Sequence, residues 1–160
     1  MADPMKDTTD NAVSQLVVNY GTRSLGHVVG SGECWDLPYE ALRFAKANTP
    51  HELGNDLYVW GQRIENLNDA QPGDLLQFEG VRMKREWVTG DGVKHWEEFN
   101  FGERHSAIVE KIDGGLFFTI LNAHVNKKKA VTRLRINLSA ENIQRGTIYL
   151  YRPTVRRAGK

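Results

Sequence analysis

The chain has 160 residues, which is enough for one domain that buries its own core without disulfides or bound metal. Its 21 basic and 20 acidic residues almost cancel, so no overall charge attracts it to nucleic acid or to an anionic membrane. We expect a monomer that binds neither of these partners, and a function that depends on a local site.

The N-terminus and the cysteine content indicate where the protein works. Residues 1–10 contain neither the basic start nor the apolar stretch of a signal peptide, and no later segment is apolar over the length of a bilayer. Cys34 is the only cysteine, so an internal disulfide is impossible. These features predict a cytoplasmic protein, or a secreted one whose signal peptide has been removed.

Helical periodicity occurs twice in the first third of the chain. Apolar residues recur at intervals of three or four and predict a helix over residues 10–22. A second periodic run starts at Cys34. Because Pro38 is tolerated only near the start of a helix, this second helix is expected to begin near Trp35 or Asp36.

The remainder of the chain has the alternating polar and apolar pattern of strands. A Pro-Gly turn at 71–74 precedes the first strand, and glycine-rich turns at 89–92 and 113–115 each join a hairpin. The predicted strands cover residues 75–78, 81–88, 93–101, 105–112, 116–124, 130–138 and 146–151.

This order of elements predicts the α+β class, with N-terminal helices packed on an antiparallel sheet of about five to six strands. One domain is expected over residues 10–153. A flexible polar segment, 1–9, precedes it, and a loose tail, 154–160, follows it.

Cys34 is the candidate nucleophile because it stands at the start of a predicted helix, where partial positive charge favours the reactive thiolate. A cysteine hydrolase also needs an imidazole base and a polar group that orients the ring. His105 opens a predicted strand, and pairing across the 113–115 turn brings Asn122 and His124 beside it. Either of these two residues is a candidate for the orienting group.

Each of these residues has a structural alternative. A lone cysteine on a helix is commonly a small buried apolar residue, and Asn122 would bond an adjacent turn as asparagine often does. His105 would then be a surface or capping residue. Trp35 and Trp60 either line a substrate cleft or belong to the core.

Four short motifs follow one another along residues 28–152: GSGECWDLPYEAL, QPGDLLQF, HSAIV and ILNAHVN. In order and spacing they resemble the papain-like cysteine hydrolases of the CHAP and NlpC/P60 group. The resemblance implies a thiol protease or amidase, a hydrolase that cleaves a cell-wall peptide or another amide without cofactor or metal. Its catalytic triad would be of the Cys-His-Asn or the Cys-His-His type. CHAP domains have Glu and Asn where this chain has Asn122 and His124.

The run Gly32-Glu33-Cys34-Trp35, with Tyr151-Arg152-Pro153 near the end, is similar to a smaller branch of this superfamily that occurs in bacteria, plants and fungi. Fungal members of that branch sit in cytoskeletal adaptor proteins. The branch therefore implies the fold and allows a second function, a binding module for a protein or peptide.

Glu33 favours that second function. It stands where CHAP domains have Gln, and an ionised carboxylate there would raise the pKa of the thiol and repel an oxyanion. Together with Trp35 and Trp60, Glu33 is expected to line the cleft and the oxyanion region. The charged ribbon at 81–101 is an insertion relative to compact CHAP domains and is placed to roof the cleft.

The remaining charged residues and histidines do not indicate a further site of one defined chemistry. A basic strip would suit phosphate or an acidic peptide, but it lacks the interleaved aromatic residues of a nucleic-acid surface; it comprises Lys127, Lys128, Lys129, Arg133 and Arg135. His27, His51 and His95 have no partners at metal-ligand spacing, so no metal site is expected.

Overall fold

The structure, a computed structural model, describes residues 4–54, 56–124 and 128–156. The helices are α1 (Pro4–Arg23), α2 (Asp36–Phe44) and α3 (Pro50–Leu53). The strands are β1 (Gln62–Ile64), β2 (Leu75–Val88), β3 (Lys94–Asn100), β4 (Arg104–Gly114), β5 (Phe117–Asn122), β6 (Thr132–Asn137) and β7 (Ile143–Arg152). None of the helices within those ranges is long and apolar enough to cross a membrane.

The strands form one seven-stranded sheet in the order β1-β7-β2-β4-β5-β6, and β3 pairs with the second half of β2. Every paired strand is antiparallel. The α+β class and the antiparallel sheet are therefore confirmed, with more strands than the five to six expected. The additional β1 was missed because three mostly exposed residues carry no apolar alternation.

Strand β2 is continuous, although the sequence suggested separate strands at 75–78 and 81–88. The register against β7 shifts between Glu79 and Arg82, which marks a β-bulge. Gly80 lies within that bulge at a φ of 62°. A glycine that indicates a turn in the sequence here bends a single strand without ending it.

The helices cover one face of the sheet. Residues of α1 and α2, among them Val17 and Leu42, pack with Leu75, Ile108 and Leu121 in one apolar cluster. Helix α2 begins at Asp36, as expected, so Pro38 occupies the first turn, where backbone N–H groups have no partner within the helix.

Both predicted chain ends need correction. Helix α1 begins at Pro4, so residues 4–9 are helical rather than a flexible segment; the polar sequence there hid the helix because it has no apolar periodicity. The start of the predicted loose tail is also bound, since Asn48 donates to the Thr154 backbone oxygen at 2.9 Å and Ala47 pairs with Val155. Residues 1–3 and 157–160 lie outside the described ranges.

The opposite face of the sheet carries a second apolar cluster, which includes Phe78, Val81, Phe118 and Ile120. Residues on β4 alternate between the two clusters, since Ala107 belongs to the second cluster and Ile108 to the first. The base of the β2–β3 ribbon packs on the second cluster through Phe99 and Phe101.

A buried ion pair joins the start of β2 to the end of β7. Asp74 is fully buried and accepts hydrogen bonds from Arg152 Nε at 3.1 Å and Nη2 at 3.0 Å, and from the Gln71 backbone N–H at 2.8 Å. Burial raises the pKa of the Asp74 carboxyl, and these hydrogen bonds act in the opposite direction. The pair therefore fixes the 71–74 turn against the last strand.

The same turn supplies a test of how α1 packs on the sheet. Gly73 has a φ of 93°, and a Cβ atom there would lie 2.4 Å from the Ser14 backbone oxygen of α1. We expect Gly73→Ala to lower the free energy of unfolding by about 2–4 kcal/mol, through left-handed strain and displacement of the helix. Urea unfolding measures this change.

Gly90→Ala is the matched control. Gly90 lies in the ribbon turn without a positive φ, and its Cβ position has no neighbour within 4 Å. A change below about 0.5 kcal/mol is expected there. Equal effects of the two substitutions would contradict the close approach of α1 to the turn.

Candidate active site

Cys34 lies in the tight turn that leads into α2. Asp36, the first residue of the helix, accepts hydrogen bonds from the Ser31 backbone N–H at 3.0 Å and from Ser31 Oγ at 2.5 Å. Gly32 has a φ of 86°, and a Cβ atom there would lie 2.7 Å from Lys129 Cβ. Glycine is therefore required where the backbone passes the β5–β6 connection just before the cysteine.

The sulfur of Cys34 rests against the backbone of β4 on both sides of His105. Sγ lies 3.9 Å from the Arg104 backbone oxygen, and the Ser106 backbone N–H bonds to the sulfur. Burial raises the pKa of the Cys34 thiol, and the negative charge of Glu33 adds to this effect, whereas the N–H bonds oppose it. The resting sulfur is therefore a protonated thiol at neutral pH.

His105 and Asn122 meet in the interior, as the pairing of β4 with β5 requires. The distance from His105 Nε2 to Asn122 Oδ1 is 3.0 Å, and both side chains are buried. Asn122 Nδ2 is directed at the Thr132 backbone oxygen, 3.4 Å away, so the carbonyl oxygen faces the ring. Because Oδ1 only accepts, Nε2 must donate, and Nδ1 of the neutral ring is left as the basic nitrogen.

Aromatic side chains cover the His105 ring. Phe101 stacks on it with ring centroids 5.0 Å apart, and Phe78 lies at 5.8 Å. Burial lowers the pKa of His105 from 6.5 to about 4; the bond to Asn122 opposes this change and the charge of His124 adds to it. The difference corresponds to roughly 3 kcal/mol in favour of the neutral ring.

The two candidates for the orienting residue occupy different places. Asn122 contacts His105, whereas His124 Nδ1 lies 3.3 Å from Glu33 Oε2, at the surface beside Cys34. His124 has a φ of 62°, so the backbone leaves the β direction immediately after β5. The two-residue period placed both side chains on one face of a regular strand, but the strand ends at Asn122.

The two tryptophans of the expected cleft also differ. Trp60 is completely buried and donates from Nε1 to Gln77 Oε1 at 2.9 Å, so it is a core residue and its assignment to the cleft was wrong. Trp35 is partly buried and donates from Nε1 to the Leu57 backbone oxygen at 2.8 Å. Its ring stacks on Tyr39 with centroids 4.5 Å apart, next to Cys34.

Sequence reasoning missed three residues that shape this site, namely Gln77, Ser106 and Phe101. Gln77 Oε1 also accepts from Ser106 Oγ at 2.5 Å, which holds the backbone segment against which the sulfur rests. Phe101 covers His105. The aromatic residues of the otherwise charged ribbon were the available signal for Phe101, but the packing partner depends on how the ribbon folds back.

The basic strip is partly neutralised within the sheet. Arg133 Nε lies 2.6 Å from Glu110 Oε1, and Arg135 Nε lies 3.9 Å from Asp113 Oδ2. Lys127 lies outside the described residues. Over the described ranges of the chain, no group of three His, Cys, Asp or Glu side chains is arranged to hold a metal ion.

The site thus combines a cysteine before a helix with a histidine and an asparagine on an antiparallel sheet, the arrangement expected of a cysteine proteinase. A model of the AIM3/BBC1 cysteine proteinase-fold domain matches residues 5–159, so the chain belongs to that family. It is 26% identical over 159 aligned residues to Altered inheritance of mitochondria protein 3 of Debaryomyces hansenii. That alignment covers 89% of this chain but 16% of the relative.

Two solved structures have a similar fold. The crystal structure of Ly7917 has a TM-score of 0.53 and 17% identity, and covers 88% of this chain and 62% of its own. The crystal structure of Ly7917 with the hydrolyzing product of MDP has a TM-score of 0.55 and 18% identity, with 88% and 63% covered. Together with the family match, they support a papain-like fold.

The protonation state of Cys34 can be tested by alkylation with iodoacetamide across pH. We expect the rate to rise only above the ordinary thiol pKa, because burial and Glu33 both disfavour the thiolate. Glu33→Gln should move the midpoint to lower pH. Glu65→Gln, at an exposed carboxylate beyond β1, should leave it unchanged.

The protonation state of His105 can be tested by NMR titration of its ring nitrogens. A midpoint near pH 4 is expected for the native protein. Because burial is the main cause, Phe101→Ala should raise the midpoint toward 6.5. Phe99→Ala is the control, since Phe99 stacks on Phe101 with centroids 6.1 Å apart and not on His105. An unchanged midpoint of the His105 titration in Phe101→Ala would contradict the shielding role of the Phe101 ring.

Proposed function

We propose that this domain is a cysteine hydrolase of amide bonds that works from a neutral thiol and a neutral imidazole. The observation that carries the proposal is the 3.0 Å contact between His105 Nε2 and Asn122 Oδ1, beside the β4 backbone that holds the Cys34 sulfur. That contact leaves Nδ1 of the ring as a base at neutral pH.

The reaction begins when a substrate carbonyl carbon approaches the sulfur. Sγ forms a bond to that carbon as the thiol proton passes to His105 Nδ1, and the carbonyl oxygen becomes an oxyanion. The backbone N–H groups around Cys34, at the start of α2, are the donors available to this oxyanion. Asn122 holds the ring in one orientation and stabilises the imidazolium while it exists.

Collapse of the tetrahedral intermediate breaks the carbon–nitrogen bond. The imidazolium returns its proton to the leaving amine, and the acyl group remains on sulfur as a thioester. His105 then removes a proton from water, which attacks the thioester and releases the carboxylic acid. The proton returns to sulfur, so the enzyme ends as it began.

Two features make this hydrolase slow in the free protein. The imidazolium must form where burial disfavours it, and the Glu33 carboxylate lies near the developing oxyanion. Removing the Glu33 charge would therefore raise the rate of the first step.

A binding module without turnover is the second candidate function. The aromatic cover of His105 favours it, because the ring is 4% exposed and has no direct path to a substrate while Phe101 stays in place. In this alternative the surface around Cys34 and Trp35 binds a peptide or protein segment and leaves it intact.

Turnover of blocked fluorogenic peptide amides at neutral pH tests the hydrolase. We expect measurable hydrolysis that Cys34→Ala abolishes and that His105→Ala lowers by about 10²–10⁴-fold in kcat/KM. His95→Ala, at a histidine that stacks on Trp87 in the ribbon, is the matched control and should retain full activity.

The same assay separates the two candidates. Activity in the native protein that increases in Glu33→Gln supports the hydrolase and removes the binding module. If the native protein and Glu33→Gln both leave every amide intact, and no acyl group is found on Cys34 by mass spectrometry, the hydrolase proposal is wrong.

A further inference from the structure

A recess apart from the Cys34 site lies at the bulge of β2. Six residues line a cavity of about 270 Å³: Gly80, Arg82, Asn100, Gly102, Glu103 and Arg145. They come from β2, from the end of β3, from the connection between β3 and β4 and from the start of β7. Bulges of this kind often lie next to functional sites because they redirect side chains.

Two arginines on neighbouring strands line this cavity. Arg82 is paired in register with Arg145 on β7 and with Asn100 on β3, so the three side chains project from neighbouring strands on one side of the sheet. Like charges in directly opposite positions destabilise a sheet. Within the described residues neither arginine has a carboxylate partner, whereas Arg85 and Arg104 are each paired.

The backbone of the recess keeps it open and leaves hydrogen-bond donors available. Gly80 and Gly102 have positive φ, and their Cβ positions have no neighbour within 4 Å. The Gly102 N–H donates to Asn100 Oδ1 at 2.9 Å, which turns the N–H₂ group of Asn100 away from that bond. Two guanidinium groups and this amide are therefore available as donors to one anionic group.

Glu103 is the one acidic residue among the six that line the cavity. Its carboxylate would repel a bare multivalent anion, but it would accept a hydrogen bond from a ligand N–H group. A ligand that carries both a carboxylate and neighbouring N–H groups satisfies both requirements. An acidic residue within a peptide has this combination.

We propose that this cavity binds the carboxylate of an acidic peptide residue, with Arg82 and Arg145 as the two cationic contacts. The cavity is near the candidate nucleophile, because Glu103 immediately precedes Arg104, whose backbone oxygen lies 3.9 Å from Cys34 Sγ. Consecutive Cα atoms are about 3.8 Å apart, so one extended peptide reaches both places.

The role of the cavity as a substrate subsite rests on the proposed hydrolase, whereas binding of the carboxylate does not. Under that combined proposal, the amide bond cleaved at Cys34 belongs to a peptide with an acidic residue within a few positions of it. The Arg82 and Arg145 contacts would then determine specificity without touching the reacting atoms.

The test uses the full-length Cys34→Ala protein, so that no turnover interferes, and two blocked alanine pentapeptides with glutamate or glutamine at the centre. We expect NMR shift changes at Gly80 and Gly102 and at least tenfold tighter binding of the glutamate peptide. Arg82→Gln and Arg145→Gln should each weaken its binding by about tenfold or more, since hydrogen bonds to charged groups contribute at that level.

Arg135→Gln removes a charge from an exposed arginine elsewhere on the sheet and is the matched control; it should leave binding unchanged. Equal affinity for the two peptides, or shift changes away from the cavity, would overturn the proposal. Inorganic phosphate that binds more tightly than the glutamate peptide would also overturn it, since a simple anion site would then explain the arginines.

The hydrolase proposal and the proposal of an acidic-residue site in the cavity can each be wrong while the other holds. Preference for glutamate in a protein without hydrolytic activity leaves the cavity in place and removes the hydrolase. Cleavage of both peptides at equal kcat/KM, with no difference in binding, leaves the hydrolase and removes the acidic subsite.

Discussion

The burial of His105 is the constraint on which the candidate site depends. Strand pairing places the ring in the second apolar cluster, where Asn122 satisfies one nitrogen and Phe101 shields the face. An apolar environment disfavours the charged ring, so the pKa falls to about 4 and Nδ1 stays unprotonated at neutral pH. Accessible thiolate–imidazolium pairs need the opposite environment, which is why the proposed chemistry starts from neutral groups.

Strand β4 connects this site to the rest of the fold. Its alternating residues serve both apolar clusters, and its backbone on either side of His105 holds the Cys34 sulfur. The ion pair between Asp74 and Arg152 secures β2 against β7 next to Val109, four residues along β4 from His105. The Cys34 sulfur contacts the backbone of the same strand that carries His105, so the position of the thiol relative to the imidazole depends on how the sheet holds β4.

Much of the architecture followed from local patterns. Glycine turns with alternating strands predicted both hairpins, and Pro38 predicted where α2 begins. The errors have specific causes: residues 4–9 lack apolar periodicity, β1 is too short to show alternation, and Gly80 resembles a turn although it lies in a bulge. Strand β1 and the bulge both pair with β7, which is distant in sequence, and a periodicity argument does not include such partners.

The sequence by itself determined the two main helices, the strands from residue 75 onward and the candidates Cys34 and His105, with Asn122 or His124 as the orienting group. It did so because helix starts, turns and strand alternation are local properties. Tertiary structure alone decided between Asn122 and His124, since that depends on where β5 ends. It also placed Trp60 in the core and Phe101 over His105, and it set Arg82 against Arg145. Those facts depend on register and on the return path of the ribbon, which bring together residues that no local pattern relates.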